Sequence, residues 1–311
     1  MNIREQRQQE ASDSFLNVKD NRAILLMAPR TGKCRTAFKI IKELNPKSIL
    51  LCYPRNDIQR GWIEEGKLLN FDLSCFDYTT FASIKKIDKK YDLIIVDEIH
   101  ELSSQQKNNL KEVCDRTPTL GLTGTLTRKT AESLNTHLNL PVCYNYSINK
   151  AVSEGVLSPY TIQVHKVDLD DTVKYIKAYK SYDTLYTEKA HFEKLNYRNQ
   201  YIKEVLKVSS MGESIKLNKE LFYLNLKQIN IIQNSIAKLN KTISLIEEFN
   251  DKRILVFCGT TQTTDSIGIP VYHSKAKEKK VFEDFADGKG QFLATIKMLQ
   301  AGKRYARYKP L

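Results

Sequence analysis

Short apolar runs separated by longer amphipathic stretches set the pattern of the first half of this chain. The runs fall near residues 23–27, 48–53, 73–78, 92–96, 119–123 and 142–147. Leu93-Ile94-Ile95-Val96 is apolar at four consecutive positions, which suits a strand buried on both faces rather than one with a wet side. Between the runs lie helix-like segments such as Arg35 to Leu44. Strands alternating with helices predict a parallel sheet covered on both faces, an α/β fold.

From about residue 165 to 250 the period becomes helical. Tyr175, Tyr179, Tyr182 and Tyr186 recur at intervals of four, three and four, which predicts a helix with four rings on one face. Lys174, Lys177, Lys180 and Lys189 interleave with them. Such a face either stacks bases or packs on a neighbouring helix with its hydroxyls wet, and the packing reading is favoured. Ile229, Ile232, Ile236, Leu239, Ile243 and Ile246 alternate spacings of three and four and predict one long amphipathic helix. This stretch carries 14 Lys/Arg against 11 Asp/Glu, so it is only mildly basic. Strands are then expected at 253–257, 269–272 and 291–295, with a helix near 276–286. The organisation expected is a first α/β domain over 1–160, a helical insert over 161–250, and the start of a second α/β domain over 251–311, about sixty residues where such a domain needs more.

Two segments carry chemistry. Met27-Ala28-Pro29-Arg30-Thr31-Gly32-Lys33-Cys34 follows an apolar run and precedes a helix. A strand, a turn ending in Gly-Lys and a helix form a phosphate-gripping loop, in which backbone N–H groups at the helix start and the lysine ammonium meet phosphate oxygens. The loop departs from the usual pattern in two places. Met27 stands for the first glycine, and Cys34 for the Ser or Thr after the lysine. A thiol is a weak Mg²⁺ ligand compared with a hydroxyl. Further along, Asp97 and Glu98 end the run Leu93–Val96, at the carboxyl end of a strand where open α/β sheets hold their ligands. One carboxylate there suits Mg²⁺ on a nucleotide and its neighbour suits an attacking water.

With Asp97-Glu98-Ile99-His100, the chain resembles the superfamily-two helicases and translocases, whose acidic box reads Asp-Glu-x-His. Other matches follow the family's order. Arg4-Glu5-Gln6-Arg7-Gln8-Gln9-Glu10-Ala11 resembles the adenine-reading glutamine motif, with Gln8 aligned and Gln6 and Gln9 as neighbouring registers. Ile49 to Arg55, with Trp62 downstream, and Tyr78-Thr79-Thr80-Phe81 resemble nucleic-acid-contacting motifs. Leu122-Thr123-Gly124-Thr125 resembles the motif coupling hydrolysis to strand movement. Arg253 to Cys258, Tyr272 to Lys275 and Phe292 to Leu299 resemble the opening of a second motor domain. The flavour is that of compact helicases of large bacteriophages.

The resemblance implies a RecA-like motor domain, a helical insert and an incomplete second RecA-like domain. It implies an ATP- and Mg²⁺-dependent nucleic-acid motor that moves along or unwinds DNA, with DNA favoured over RNA, single-stranded or duplex. Lys33 holds phosphates with Arg30, Thr31, Gly32, Cys34 and Arg35, and Gln8 reads the base. Asp97 orients Mg²⁺, with Cys34 a weak further ligand, and Glu98 positions water. His100, Thr123 and Thr125 couple the nucleotide to the strand. Pro54, Arg55, Thr80, Phe257 and Thr295 line the nucleic-acid track. After Gly302 the family pattern stops short of its arginine-finger motif and the chain reads Lys303-Arg304-Tyr305-Ala306-Arg307. A truncated or frame-shifted helicase is therefore expected, with reduced activity. A nucleic-acid-binding module that has lost catalysis, and a translocase subunit of a restriction or repair system, are the alternatives.

Composition is consistent with a polyanionic partner. The net charge is +13, and Lys and Arg release counterions when they neutralise phosphates. Six scattered cysteines include no Cys-x-x-Cys pair, so neither a zinc site nor a disulfide framework is indicated. No apolar run is long enough for a signal peptide or a membrane span. The setting expected is a bacterial or phage-infected cytoplasm, with no membrane partner and a monomeric state favoured.

Overall fold

A computed structural model describes residues 2–170, 174–176, 184–276, 278 and 280–296, with 174–176 and 184–186 as backbone alone. The chain divides into two compact units, 1–162 and 163–311.

The first unit contains α1 (Ile3–Leu16), β1 (Arg22–Met27), α2 (Lys33–Leu44), β2 (Ile49–Tyr53), α3 (Asn56–Leu68), β3 (Phe76–Thr80), β4 (Leu93–Asp97), α4 (Ser104–Val113), β5 (Thr119–Thr123), α5 (Arg128–Leu138), β6 (Val142–Tyr146) and α6 (Ile148–Ser153). Its six strands form one sheet in the order β3-β2-β4-β5-β1-β6. Every pairing is parallel, giving the helix-covered α/β sheet expected.

Apolar continuity in the strands has a simple cause: each face has its own helical cover. Along β4, Leu93 and Ile95 join one core with Ala11, Phe15, Phe38, Ile41 and Trp62 from α1, α2 and α3. Ile94 and Val96 join the other with Leu110, Leu134 and Leu138 from α4 and α5. β1 and β2 alternate in the same way, with Leu25 and Leu51 on the first face and Ile24 and Leu50 on the second. Gly121 in β5 permits a close approach, since a Cβ there would lie 2.9 Å from Ile24 Cγ1 and 3.0 Å from Ile99 Cδ1.

The second unit contains β7 (Lys174–Ile176), β8 (Thr184–Tyr186), α7 (Glu188–Leu206), α8 (Met211–Gln233), α9 (Ile236–Glu248), β9 (Ile254–Cys258), α10 (Thr261–Asp265), β10 (Val271–Tyr272), α11 (Lys280–Ala286) and β11 (Phe292–Ile296). A parallel three-stranded sheet runs β10-β11-β9. No helix among the described residues is long and apolar enough to cross a membrane.

Two expectations are corrected here. The tyrosine-bearing segment is not a single helix: β7 and β8 pair antiparallel, with Tyr175 opposite Leu185 and Lys174 opposite Tyr186. Tyr, Ile and Thr favour extended backbone when a partner strand is present. Tyr179, Tyr182, Lys177 and Lys180 lie outside the described residues. The long isoleucine helix is broken into α8 and α9 between Gln233 and Ile236. Asn234 caps α8, and its side-chain oxygen accepts hydroxyl hydrogen bonds from Thr260 at 2.6 Å and Thr263 at 3.0 Å. Asn and Ser readily exchange helical backbone bonds for such local ones.

Candidate nucleotide site

Parallel register brings the carboxyl ends of β1, β4 and β5 side by side. Leu26 of β1 pairs with Thr123 of β5, and Asp97 of β4 pairs with Leu122. The sequence-predicted nucleotide residues therefore meet at one edge although they lie far apart in the chain.

Leaving β1, the loop turns sharply. Arg30 is exposed and left-handed at φ 64, and Gly32 is left-handed at φ 100. Thr31 is buried and its hydroxyl donates to Ala28 O at 2.7 Å. Gly32 occupies the position before α2, and no side chain caps that helix. Its first N–H groups therefore point outward without an intrahelical partner, as an anion requires. A Cβ on Gly32 would sit 2.1 Å from Gln8 Nε2. Gln8 is buried and donates from Nε2 to Thr31 O at 3.0 Å. Gln6 instead bonds Glu10, and Gln9 bonds Asp13 and Lys39, so Gln8 is the glutamine that reaches the loop.

Lys33 begins α2 and its Nζ lies 2.8 Å from Glu98 Oε1. Asp97 is buried beside them. Its Oδ2 accepts from Trp62 Nε1 at 2.8 Å and its Oδ1 from Glu98 N at 3.0 Å. Burial holds the Asp97 carboxyl above the usual carboxylate range, opposed chiefly by the Lys33 charge and the Trp62 N–H. Cys34 packs against the core on the α2 face. Burial, followed by the nearby Asp97 charge, pushes its thiol well above its ordinary pKa, so it stands as a neutral thiol, a still poorer cation ligand than the sequence implied.

Glu98 is left-handed at φ 52 and turns the chain toward His100. His100 Nδ1 lies 2.8 Å from Thr123 Oγ1 and 3.5 Å from Glu98 Oε2. Thr123 donates its hydroxyl to Thr125 O at 2.7 Å and accepts from Thr125 N at 3.2 Å. With that hydroxyl proton used, the network assigns the donor role to Nδ1–H of His100. The predicted coupling residues thus form a continuous chain from Lys33 through Glu98 and His100 to Thr123 and Thr125.

The predicted strand-contacting residues divide. Pro54 and Arg55 follow β2 and Thr80 ends β3, at the same edge of the sheet. Arg55 is engaged by Glu101, with guanidinium contacts of 3.0 and 3.2 Å. Thr80 Oγ1 reaches Ser83 Oγ at 3.3 Å. In the second unit, Phe257 is 51 % exposed. Thr295 is fully buried, its hydroxyl donating to Tyr272 O at 2.8 Å, so its side chain does not face a track. Trp62, downstream of the Ile49–Arg55 motif, lies in the core as the donor to Asp97. A buried indole N–H needs an acceptor, and that need was the available signal. Arg35 is held by Glu65 of α3 at 2.5 Å. Arg304 and Arg307 lie outside the described residues.

A nucleotide fits this arrangement: the helix start is uncapped, the loop is left-handed at Gly32, and the ammonium is held by a carboxylate that phosphate oxygens can replace. Among the described residues no group of three or more His, Cys, Asp and Glu forms a metal cluster. A cation here would take Asp97 from the protein and its remaining ligands from phosphate and water, the habit of Mg²⁺.

The chain is similar to several known proteins. Residues 77–128 match the family described as type III restriction enzyme, res subunit. The chain is 23 % identical to the DNA 3'-5' translocase XPB2 of Sulfurisphaera tokodaii, over 95 % of this chain and 71 % of that protein. It is 30 % identical to the type I restriction enzyme EcoAI endonuclease subunit of Escherichia coli, over 48 % of this chain but only 22 % of that one. Among solved structures, the UvsW helicase from bacteriophage T4 is similar over 45 % of this chain and 58 % of that chain, with 14 % identity and a TM-score of 0.38. Dbp5 of S. cerevisiae bound to RNA and ADP BeF3 is similar over 95 % of this chain and 71 % of that chain, with 12 % identity and a TM-score of 0.45.

Proposed function

We propose that this chain is a motor of the kind the superfamily-two helicases and translocases represent, hydrolysing ATP to drive movement along nucleic acid, with DNA as the strand. The observation that carries this reading is the Lys33–Glu98–His100–Thr123 chain, which joins the phosphate loop to the end of the neighbouring strand.

Bound Mg²⁺·ATP supplies the transferable phosphoryl group and a cation that offsets its charge. The protein's part is positioning. Lys33 exchanges its Glu98 partner for phosphate oxygens, beside the free N–H groups at the start of α2. Glu98, released from Lys33, orients the attacking water and accepts its proton. Asp97 would hold the cation and is itself fixed by the Trp62 indole and the Glu98 amide. Gln8, fixed on Thr31 O, reads the adenine edge. His100 senses whether Glu98 is paired or free and passes that state to Thr123 and Thr125 at the end of β5. Arg55, Pro54 and Thr80 contact the strand at the same edge.

The test is ATP hydrolysis by the 311-residue chain, with and without single-stranded and duplex DNA or RNA. Stimulation by DNA supports the proposal, and absence of hydrolysis with every strand overturns it. A second reading, the translocating subunit of a restriction system, is favoured by the family match over 77–128 and the EcoAI likeness. It predicts ATP-driven displacement of a bound block along duplex DNA without strand separation.

A further inference from the structure

The α7–α8 hairpin has a flank unlike the rest of its surface. Its seam is formed by Leu195, Asn199 and Ile202 on α7 meeting Leu217, Leu221, Leu224 and Gln228 on α8. The residue immediately before each seam position is rotated about 100° from it on a helix. In an antiparallel pair, these preceding positions on both helices fall on the same flank. They read Lys194, Arg198 and Tyr201 on α7, then Lys216, Glu220, Tyr223 and Lys227 on α8. One contact confirms the placement: Arg198 Nε reaches across to Glu220 Oε1 at 2.9 Å.

This flank carries four cations and two tyrosines, and its one carboxylate is neutralised by Arg198. Tyr201 is 53 % and Tyr223 52 % exposed, and Arg198 lies 5.1 Å from the Tyr201 ring centroid. The positions after the seam are Asn196, Gln200, Lys203, Asn218, Phe222, Asn225 and Ile229, with a single charge among them. The asymmetry is therefore built into one side. Amphipathic packing accounts for the seam and not for the sorting of charge between flanks.

We infer that the Lys194–Arg198–Tyr201 and Lys216–Tyr223–Lys227 flank of the α7–α8 hairpin binds a single strand of nucleic acid, with bases stacked on Tyr201 and Tyr223 and phosphates held by the lysines. Exposed rings interleaved with cations form the stacking platform and electrostatic groove that sequence-tolerant strand binding requires. The inference shares only its partner class with the proposed motor function. None of its residues belongs to the nucleotide site.

The experiment measures binding of fluorescein-labelled oligothymidylate and oligouridylate of equal length to the full chain by anisotropy across a salt series. Tyr201→Ala and Tyr223→Ala are each expected to weaken binding about tenfold, equally for both strands, while fluorescent-nucleotide binding stays unchanged. Tyr201→Phe and Tyr223→Phe keep the rings and are expected to restore affinity, which a merely structural role of the hydroxyls would not allow. Lys216→Gln with Lys227→Gln is expected to lower the log–log salt slope by roughly 0.7 per lysine. Unchanged affinity in the double alanine variant overturns the inference. If Arg55→Ala still weakens binding in that case, the motor reading stands without it. Failure of the parent chain to bind either strand overturns both.

Discussion

Lys33 Nζ and Glu98 Oε1 lie 2.8 Å apart, so the residue proposed to grip phosphate and the residue proposed to position water hold each other. Neither is fully exposed, and each occupies the place the other must leave for turnover. Lys33→Ala is expected to abolish nucleotide binding and hydrolysis together. Glu98→Gln keeps a hydrogen-bond acceptor but cannot act as a base, so binding should persist while hydrolysis falls about 10²–10⁴-fold. Nucleotide titration and a steady-state ATPase assay on the two variants separate these outcomes, and parent-like turnover by Glu98→Gln would remove the role assigned to it.

Trp62 gives Asp97 one of its two hydrogen bonds. A carboxyl whose folded-state pKa lies above its ordinary value of 3.8 holds its proton more tightly in the native chain. Its contribution to stability is therefore greatest in acid and declines as pH rises through the raised pKa. Activity runs the other way, because a cation requires the carboxylate. Trp62→Phe removes a donor that favours the charged form, so the acid limb of the pH–rate profile should move to higher pH. An unmoved limb would mean that Asp97 does not govern it.

The hydroxyl of Thr123 receives His100 and closes on Thr125. Thr123→Val preserves shape and deletes this junction. Nucleotide affinity should be retained, while stimulation of hydrolysis by nucleic acid should be lost. Measuring ATPase rate against oligonucleotide concentration checks this, and a parent-like stimulation curve would break the proposed coupling.

Cys34 stands where a hydroxyl is usual and is a half-buried, neutral thiol. Cys34→Thr should lower the Mg²⁺ concentration needed for half-maximal hydrolysis, since an oxygen ligand suits a hard cation. A coincident Mg²⁺ titration would show that position 34 never faces the metal.

Gly32 combines a left-handed φ of 100° with a missing Cβ whose place is taken by Gln8 Nε2. Gly32→Ala should therefore cost stability, by about 1–3 kcal/mol from backbone strain, and weaken nucleotide binding more than Arg30→Ala, which alters only an exposed side chain. Thermal melts and nucleotide titrations of both variants check the order.

The sequence alone determined what depends on neighbours in the chain. The strand runs were legible because a sheet covered on both faces demands uninterrupted apolar residues, and Leu93 to Val96 supplies them. The Gly-Lys turn was legible because its chemistry is packed into consecutive residues between a strand and a helix. Tertiary structure decided everything that needed a distant partner. It selected Gln8 over Gln6 and Gln9 by bringing Thr31 O within reach, set Trp62 beside Asp97, and buried Thr295. It broke the isoleucine helix at Asn234, where Thr260 and Thr263 offered hydrogen bonds that no periodicity records. It also paired strands through Tyr175 and Tyr186 where the spacing of tyrosines fits a helix. Side-chain period reports which face is apolar, whereas the partner that covers or bonds that face is fixed only when segments far apart in sequence are brought together.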